Sequence, residues 1–433
     1  MCYLLKVNSK HDVFDIVVVG GGAAGLAAAI FAAEAAIGRD LRILIMEGAR
    51  KPGAKILVSG GGRCNVTNVS VSPNDYCGGS RAIIRNVLSQ FNDEKVRAWF
   101  DGMGVQLKLE PTGKYFPVSD QAKTVLDALL ARVDELGIRM WTGTRVTDIS
   151  RSEEHFSLVL SDGQRIRAHR VVMATGGLAL PKSGSDGAGI GVMQRLGHTI
   201  VPTTPSLSPL MLARDRSVGG HFAEFAGITI DARMRLCRAG RTKPIVDLAG
   251  SLLFTHFGLS GPVAMNLSRH WLRERLEHPD GELEVTLGHP RFLNTDDANR
   301  WFLDCAKQFP TRKLSTALTE LFPERLASAM AASSVPDVRL AQVTGQRRKE
   351  IVEMIAAMRV KVTGARDYSF AEATAGGVAL AEIDYRTMES RKVPGLYLCG
   401  EILDVDGRIG GFNFQWAWSS GFVAGHGVMG SLA

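Results

Sequence analysis

The 433-residue sequence has only six cysteines, and they lie far apart. No CxxC or CxxxxC pair occurs, so neither a cysteine-based zinc site nor a redox-active disulfide is predicted. Widely spaced thiols are typical of a reducing compartment, and we therefore expect a cytoplasmic protein. No cluster with metal-ligand spacing is present, and no metal is expected.

Aromatic residues and basic patches are also scarce. Aromatic residues make up 7% of the sequence, and the net charge of +7 comes from dispersed Lys and Arg, of which Arg347–Lys349 is the densest group. Binding of single-stranded nucleic acid would require basic residues interleaved with aromatic ones. We therefore expect no nucleic-acid partner. A mild positive charge favours anionic ligands, but a solubilising surface is the simpler interpretation.

No secretion signal or membrane span is predicted. The N-terminus has no charged region, apolar core and small-residue cleavage site in that order. Residues 16–37 are apolar, but their β-branched beginning, three glycines and Ala-rich end are typical of a buried parallel strand followed by a helix. We therefore expect no membrane association.

The best-defined motif is a strand, a tight turn and a helix in residues 15–30. The strand ends in Gly20, Gly22 and Gly25, which have the GxGxxG spacing of dinucleotide-binding proteins. The first glycine permits the turn, the second lets a pyrophosphate approach the backbone, and the third lets helix and strand pack closely. The next predicted strand ends at Glu47, which is placed to bind a ribose hydroxyl. The motif predicts a dinucleotide without specifying which one.

Three further glycine-rich stretches indicate the same nucleotide. The successive glycines in Lys55–Asn65 could form an anion-binding nest, or they could simply connect two elements. One predicted strand ends at Ala174-Thr175-Gly176, and another ends at Gly400-Glu401. A glycine pair then precedes a small-residue helix. The N-terminus of such a helix suits a flavin, whose N1 and C2 carbonyl become anionic on reduction.

The pattern changes between about residues 200 and 365, where no dinucleotide motif occurs and strands are followed by helices. We therefore predict an α/β fold in which a Rossmann-like domain is interrupted by an insertion. The predicted boundaries are 1–200 and 366–433 for the cofactor domain, 201–262 plus 339–365 for a β-rich subdomain, and 263–338 for a helical subdomain.

The sequence resembles the bacterial flavoproteins grouped with aminoacetone oxidase, a branch of the glutathione-reductase-like FAD fold. The Gly-Gly-Gly-Arg-Cys-Asn and Gly-Glu-Ile-Leu-Asp-Val-Asp-Gly runs are the most specific features of this resemblance. It implies one tightly bound FAD, a discontinuous cofactor domain and two inserted subdomains, one a β barrel and one helical. The matching stretches span the chain: Gly20–Gly25, Lys55–Asn68, Phe116–Ser119, Phe254–Pro262, Ala373–Val378 and Gly400–Ala417.

The resemblance also implies FAD contacts, position by position. Residues 184–191 match it less well, and no binding residue is transferred from them. The implied contacts are Gly20, Gly22, Ala23, Ala24 and Gly25 at the pyrophosphate, Glu47 at the adenosine ribose, Val146 at adenine, Ala174, Thr175 and Gly176 over the nucleotide, Lys55, Gly61, Gly62, Arg63, Cys64 and Asn65 near the flavin, Gly400 and Glu401 on the ribityl and phosphate side, and Gly411, Phe412, Asn413 and Gln415 at the ring.

Four side chains are candidates for chemistry, and each has a structural alternative. Cys64 could form a flavin adduct, or it could be a small buried residue that shapes its loop. Arg63 could hold an anionic substrate or stabilise a reduced flavin, or it could form a loop salt bridge. His256 and Ser260 are substrate candidates in a Gly/Pro-bounded loop, although a lone His is more often structural. No catalytic residue is assigned.

We therefore predict an FAD-dependent oxidoreductase that transfers a hydride at flavin N5 to or from a small organic molecule. Only one complete dinucleotide motif is present, so the electron partner is expected to be a transiently bound NAD(P)H, oxygen or another acceptor. The alternative is a flavin-bearing sensor or a flavoprotein associated with RNA modification. The substrate, the reaction direction and the oligomeric state stay open.

Overall fold

The computed structural model describes residues 13–36, 38–213, 222–332 and 337–432. The chain forms two compact units. The first combines Met1–Thr203 with Ala373–Ala433, and the second is Thr204–Glu372. The prediction of no secretion signal concerns the N-terminus, and residues 1–12 lie outside the described ranges.

The elements are numbered in chain order. The strands are β1 (Val13–Val19), β2 (Ile43–Glu47), β3 (Thr67–Asn68), β4 (Tyr76–Gly78), β5 (Leu107–Leu109), β6 (Lys114–Pro117), β7 (Arg139–Thr142), β8 (Val146–Arg151), β9 (Phe156–Leu160), β10 (Arg165–Met173), β11 (Ile200–Ser206), β12 (Leu210–Leu212), β13 (Thr229–Arg238), β14 (Val246–Thr255), β15 (Gly258–Ser260), β16 (Leu283–Gly288), β17 (Met358–Val360), β18 (Val362–Ala365), β19 (Ala373–Val378), β20 (Ile383–Asp384), β21 (Glu389–Ser390), β22 (Leu396–Leu398) and β23 (Val405–Gly407). The α-helices are α1 (Ala23–Ala35), α2 (Ala54–Gly62), α3 (Arg81–Gln90), α4 (Asp93–Gly102), α5 (Ala122–Glu135), α6 (Ala188–Arg195), α7 (Pro262–Glu277), α8 (Thr295–Gln308), α9 (Leu314–Leu318), α10 (Glu324–Ala332), α11 (Gly345–Ala357) and α12 (Phe412–Gly430).

The core of the first unit is a sheet with strand order β20-β21-β22-β10-β1-β2-β7. The strands β22, β10, β1, β2 and β7 are parallel to one another. Parallel strands that are covered on both faces are continuous apolar runs, and Ile16–Val19 of β1 are at most 5% exposed. Strands β8 and β9 precede β10 and form an antiparallel meander with it, in which β8 pairs with β9 and β9 pairs with β10. This architecture confirms the predicted Rossmann-like α/β fold.

Helices α1 and α12 pack against each other through small residues. A Cβ on Gly425 of α12 would lie 2.7 Å from the Ala28 carbonyl oxygen, and one on Gly421 would lie 2.9 Å from that of Ala24. Since the contact advances by four residues on both helices, the two helices run parallel. Their N-termini, with the positive ends of their dipoles, therefore point in the same direction.

The second unit contains an antiparallel sheet with strand order β17-β16-β13-β14-β15-β12-β18. Only Lys361 separates β17 from β18, so one continuous segment pairs with β16 at one edge and with β12 at the other. This closes the sheet into the predicted barrel-like form. Two elements differ from the predicted subdomain boundaries, because strand β16 lies in the segment expected to be helical and helix α11 lies in the segment expected to be β-rich.

The basic cluster of α11 is partly structural. Arg347 is 7% exposed and donates from Nη2 to the carbonyl oxygen of Ala331, 2.8 Å away at the end of α10. It thus satisfies a carbonyl that the helix end leaves unpaired. Within the described ranges, no helix is long and apolar enough to cross a lipid bilayer.

A buried histidine joins the segment before β11 to the β20–β21 hairpin. His198 Nδ1 lies 3.1 Å from Glu382 Oε2, and its Nε2 lies 3.0 Å from Ser390 Oγ. Burial lowers the pKa of His198 although Glu382 opposes this, so the ring is neutral at neutral pH. The order Ser–His–carboxylate matches that of a hydrolase triad. However, Ser390 is 4% exposed, and its oxygen accepts the N–H groups of Lys392 and Val393. The arrangement is therefore structural.

Gly425→Ala is expected to destabilise the protein by about 1–3 kcal/mol, because the added methyl group would meet the backbone of α1. This loss opposes the gain of about 1 kcal/mol in helix propensity. Gly430→Ala is the matched control in the same helix, since nothing lies within 4 Å of its Cβ position. Urea unfolding measures the free energy of unfolding of both variants. Equal changes in the two variants would contradict the packing argument.

Glu382→Gln is expected to destabilise the protein in a pH-dependent way. Burial acts to raise the pKa of Glu382, but hydrogen bonds from Lys392 and Thr199 outweigh it and lower the pKa from 4.5 to about 2. Because the Glu382 carboxyl group has a lower pKa in the folded protein than in the unfolded chain, its ionised form stabilises the folded protein at pH values above 4.5. This contribution is lost as the pH falls from 4.5 towards 2. Urea midpoints of both proteins should therefore converge below about pH 4.5.

The control for this experiment is Glu135→Gln, since the Glu135 side chain is 63% exposed in its ion pair with Arg132. Its small effect should not change across the same pH range. A constant difference between wild type and Glu382→Gln from pH 7 to pH 3 would refute the linkage.

Candidate functional site

The glycine turn after β1 forms an open cradle at the N-terminus of α1. A Cβ on Gly25 would lie 1.9 Å from the Gly20 carbonyl oxygen, so this glycine is required for the close approach of helix and turn. Gly20 itself has a φ of +111°. Nothing lies within 4 Å of the Cβ position of Gly22, and no described side chain caps α1. The first N–H groups of the helix can therefore bind a pyrophosphate.

Glu47 is held at the edge of this cradle. Its Oε2 accepts the Gly21 N–H at 2.7 Å, and its Oε1 accepts the Ala49 N–H at 2.7 Å. Each carboxylate oxygen keeps a second lone pair, which can accept a ribose hydroxyl. The N–H of Thr144 donates to the Glu47 carbonyl oxygen at 3.0 Å, which brings the start of β8 at Val146 beside it. Glu47 and Val146, the two residues predicted to contact the adenosine half of FAD, therefore lie near each other.

The structure also places residues 184–189 beside Glu47 and Thr175. The family resemblance implied no FAD contact for this segment. The Cβ position of Gly184 lies 3.5 Å from Glu47 Oε1. Ser185 donates to the Gly177 carbonyl oxygen at 3.2 Å, and Gly189 lies against the side chain of Thr175. Thr175 Oγ1 is buried and has no hydrogen-bond partner among the described residues. The glycine-rich run in this segment was the available sequence signal.

The glycine-rich loop at the end of α2, where an anion nest was predicted, uses two of its N–H groups in hydrogen bonds within the chain. Gly60–Gly62 and Cys64 all have positive φ, between +56° and +83°. The N–H groups of Arg63 and Cys64 both donate to the carbonyl oxygen of Ser59. These two donors are therefore not available to a ligand anion, and binding at the neighbouring glycines stays a prediction. The Cβ position of Gly61 has nothing within 4 Å, so the loop can still approach a ligand there.

Arg63 is held in a salt-bridge network. Its Nη1 lies 2.6 Å from Glu110 Oε1 and 3.6 Å from Asp120 Oδ1, and its guanidinium lies 4.0 Å from the centroid of the Phe116 ring. Lys108 also binds Asp120. These contacts agree with the prediction that Arg63 forms a loop salt bridge, and they disagree with the prediction that its guanidinium is free to bind an anion.

Cys64 is not placed as a nucleophile. The residue is 0% exposed, and burial raises the pKa of its thiol to about 12 although a hydrogen bond with Ser59 opposes this. The thiol is therefore protonated at neutral pH, and the structure agrees with a small residue that shapes the loop. No disulfide joins the cysteines of the described ranges, and Cys2 lies outside them.

A polar cluster connects the beginning and the end of the chain. Lys55 Nζ lies 2.7 Å from Glu401 Oε2, and Thr374 Oγ1 donates to Glu401 Oε1 at 2.8 Å. Thr374 in turn accepts the Leu178 N–H at 2.8 Å. The Cβ position of Gly177 lies 2.5 Å from Thr374 Oγ1, so the turn after β10 lies directly against this cluster. Thr374 was not among the predicted site residues.

Helix α12 fixes the Gly400 turn and approaches the α2 loop. Trp416 Nε1 donates to the Gly400 carbonyl oxygen at 3.2 Å, and the Gly400 N–H donates to Ser420 Oγ at 2.9 Å. The amide of Asn65, oriented so that its oxygen accepts the Gly411 N–H at 2.9 Å, donates to the Thr67 carbonyl oxygen at 2.9 Å. Two of the stretches predicted to lie near the flavin thus contact each other.

Three predicted ring contacts of α12 have structural roles. Phe412 and Gln415 are 0% exposed. Gln415 accepts from Thr67 Oγ1 at 2.6 Å and donates to the Phe91 carbonyl oxygen at 2.9 Å. Asn413 bonds both backbone groups of Gly407. The polar atoms of Gln415 and Asn413 thus bond to groups of the protein itself. Contacts of this helix start with the flavin ring stay a prediction.

The other predicted residues lie in the second unit. His256 is exposed in the turn between β14 and β15, and Ser260 ends β15 opposite Leu253. Among the described residues, no group of three His, Cys, Asp or Glu side chains could hold a metal ion.

The parallel sheet and its glycine cradle define a Rossmann-type flavoprotein. Residues 14–427 match the family described as HI0933-like protein Rossmann domain, and the chain belongs to this family of FAD-binding oxidoreductases. FAD is therefore the cofactor, as predicted. The narrower grouping with aminoacetone oxidase stays a prediction.

Two curated relatives are similar to this chain along almost their whole length. The ribosomal RNA dihydrouridine synthase of Escherichia coli (strain K12) is 31% identical over 415 residues, which cover 95% of this chain and 96% of that protein. The 3-dehydro-bile acid delta(4,6)-reductase of Clostridium scindens is 32% identical over 410 residues, which cover 94% of this chain and 97% of that protein.

A solved structure shares the fold. The 3-ketosteroid delta1-dehydrogenase from Sterolibacterium denitrificans superposes with a TM-score of 0.51 at 13% identity, covering 97% of this chain and 100% of that chain. At this identity the similarity concerns the fold alone.

Gly22→Ala is expected to weaken FAD binding about tenfold or more, because its methyl group would enter the space in front of α1. The φ of Gly22 is −83°, which suits an L-residue, so the unfolding free energy should change by less than about 1 kcal/mol. Equilibrium dialysis of FAD and urea unfolding of the apoprotein measure the two effects.

The control is Gly25→Ala, which meets the Gly20 carbonyl oxygen and should destabilise the apoprotein itself by about 1–3 kcal/mol. Unchanged FAD affinity in Gly22→Ala would contradict the assignment of the pyrophosphate site.

Proposed function

We propose that this protein reduces a carbon–carbon double bond that is conjugated to a carbonyl group, with FAD as the hydride carrier. The observation that carries the proposal is that three relatives that span this chain are named for products or substrates of such a reduction. They are the ribosomal RNA dihydrouridine synthases of Escherichia coli and Haemophilus influenzae and the bile acid reductase of Clostridium scindens. Dihydrouridine forms when the C5–C6 double bond of uracil is reduced. A delta(4,6) bile acid with a 3-keto group has double bonds conjugated to that ketone.

The two reductions share one chemical step. Reduced FAD supplies the hydride when it is bound, and the hydride goes to the carbon farther from the carbonyl. The carbonyl oxygen then takes the negative charge, and a proton is added to the neighbouring carbon. Two electrons and two hydrogen atoms are thereby transferred, and no other group leaves. This chemistry needs donors near the carbonyl oxygen and a fixed substrate orientation.

The residues of the first unit support the cofactor part of this proposal. We propose that Gly22 and the N-terminus of α1 bind the pyrophosphate and that Glu47 binds the ribose. Lys55, whose ammonium group lies 2.7 Å from Glu401, would place a positive charge beside the ribityl side. The parallel N-terminus of α12 would favour a flavin that becomes anionic on reduction.

Two substrate classes follow from the relatives. The RNA class agrees with the alternative function predicted from the sequence, a flavoprotein associated with RNA modification, but differs from the expected absence of a nucleic-acid partner. The expectation of no nucleic-acid partner rested on the dispersed basic residues, whereas two relatives are named for ribosomal RNA. A uridine in RNA and a steroid-like enone are therefore both candidates. Amine oxidation, as in aminoacetone oxidase, and a non-catalytic flavin sensor are the competing functions.

The FAD-loaded protein, reduced under anaerobic conditions, should be reoxidised by an enone substrate, with recovery of flavin absorbance near about 450 nm. The test set is unmodified ribosomal RNA, a 3-oxo-Δ4,6 steroid acid and an amine. Mass spectrometry should show two added hydrogen atoms in the RNA or the steroid. NADH and NADPH are tested separately as electron donors.

Saturated analogues are the controls, namely RNA that already contains dihydrouridine and the saturated 3-oxo steroid. They should leave the reduced flavin unchanged. Bleaching of the oxidised protein by the amine alone would replace the proposal with amine oxidation. Absence of any electron transfer would support the sensor.

A further inference from the structure

Strand β12 brings two separate segments of the second unit together. Met211 pairs with Gly258 of β15 on one side and with Gly364 of β18 on the other. The turn that carries His256 and Phe257 therefore lies near the residues that follow β18. Each segment directly adjoins a strand of the sheet, and the Phe257 carbonyl oxygen accepts the Leu212 N–H at 3.2 Å.

Arg366, directly after β18, is held against two aromatic rings. Its guanidinium carbon lies 3.6 Å from the centroid of Phe370 and 4.9 Å from that of Phe257. Its backbone is fixed as well, because its N–H donates to the Pro209 carbonyl oxygen at 2.9 Å and its carbonyl accepts from Ser208 Oγ at 2.8 Å. A guanidinium stacked on a ring keeps its N–H donors available in its own plane.

The positive charge of Arg366 has no acidic partner within the described part of the chain. Asp367, the next residue, accepts the Ser369 N–H at 2.8 Å instead. Arg312 offers a contrast in the same unit. Its guanidinium carbon lies 3.7 Å from the Phe309 centroid, but its Nη1 lies 2.6 Å from Glu320 Oε1. Stacking on phenylalanine is thus common to both arginines, and only Arg366 is left with its in-plane donors unused.

Apolar and polar surface adjoin this guanidinium. Phe370 is 48% exposed, and it is the one aromatic residue among the exposed large hydrophobic side chains of the described ranges. The exposed His256 ring lies 5.0 Å from Phe257. An exposed phenylalanine face offers a stacking surface, and a pre-oriented guanidinium offers two parallel donors to a planar oxyanion.

We propose that Arg366 and Phe370 form a binding site for an oxyanion, a carboxylate or a phosphate, attached to a ring that lies against Phe370. Arg366 pairs with the oxyanion and Phe370 contacts the ring. The ring of His256 lies at the margin of this site, against Phe257. The site does not depend on the proposed reaction.

The test is a binding measurement on the oxidised FAD-loaded protein without a reductant, so that no turnover occurs. Two pairs of probes distinguish the sources of the oxyanion. Uridine 5′-monophosphate is compared with uridine, and a 3-oxo bile acid is compared with its methyl ester. In at least one pair, the anion should bind about 10-fold or more tightly than its neutral partner.

Arg366→Met should abolish this preference, and Arg366→Lys should retain part of it, because a lysine keeps the charge but loses the planar pair of donors. Arg312→Met is the matched control and should leave the preference unchanged. Phe370→Ala should weaken both members of a pair equally. Thermal melting of each variant verifies the fold, and Arg366→Lys serves as the decisive variant if Arg366→Met does not fold.

A preference for the anion that survives in both Arg366 variants would overturn the proposal. So would equal affinity for all four probes, or loss of the preference in Arg312→Met, which would indicate general electrostatic attraction. These binding results can be interpreted even if the protein proves not to be a reductase, because they are measured without electron transfer.

Discussion

The first unit depends on close contact between backbone segments, which only glycine permits. At Gly25 the helix α1 lies against the turn that precedes it, and at Gly421 and Gly425 helix α12 lies against α1. The same constraint acts at Gly376, where a Cβ would lie 2.5 Å from the Pro202 carbonyl oxygen. Because side chains are absent at these contacts, the backbones of the helices and turns can approach one another closely.

Hydrogen bonds between distant residues hold this arrangement. Lys55 and Glu401 are 346 positions apart in the chain, and Tyr76 donates to the Phe412 carbonyl oxygen at 2.8 Å. Asn68 donates to the carbonyl oxygen of Gly410 at 2.9 Å. The C-terminal segment is therefore part of the cofactor cradle as much as the N-terminal motif is. A buried polar group that lost its partner here would cost more than the bond itself contributes, which explains why amides and hydroxyls are concentrated in this region.

The polar residues near the glycines show the limit of reasoning from sequence. Gln415, Asn413 and Arg63 stand beside cofactor motifs. The family resemblance implied that they contact FAD, with a loop salt bridge as the alternative for Arg63. In the structure they satisfy buried carbonyls, backbone amides and carboxylates of the protein. Ligand binding and internal satisfaction use the same residue types, so composition and spacing do not distinguish them. Conversely, Thr374 and residues 184–189 lie in stretches with a sequence signal, but their contacts with Glu401 and Glu47 come from distant parts of the chain.

The sequence by itself determined the Rossmann-like fold and the position of the dinucleotide turn, because these follow from hydrophobic periodicity and from the spacing of glycines that permit a tight turn. The choice of FAD came from the further glycine-rich stretches and from the family resemblance. Only the tertiary structure decided which polar atoms are left for a ligand. Lys55 pairs with Glu401, 346 positions away in the chain, and the guanidinium carbon of Arg366 lies 4.9 Å from the centroid of the distant Phe257 ring. Such contacts depend on how distant segments pack, and local sequence does not encode that distance.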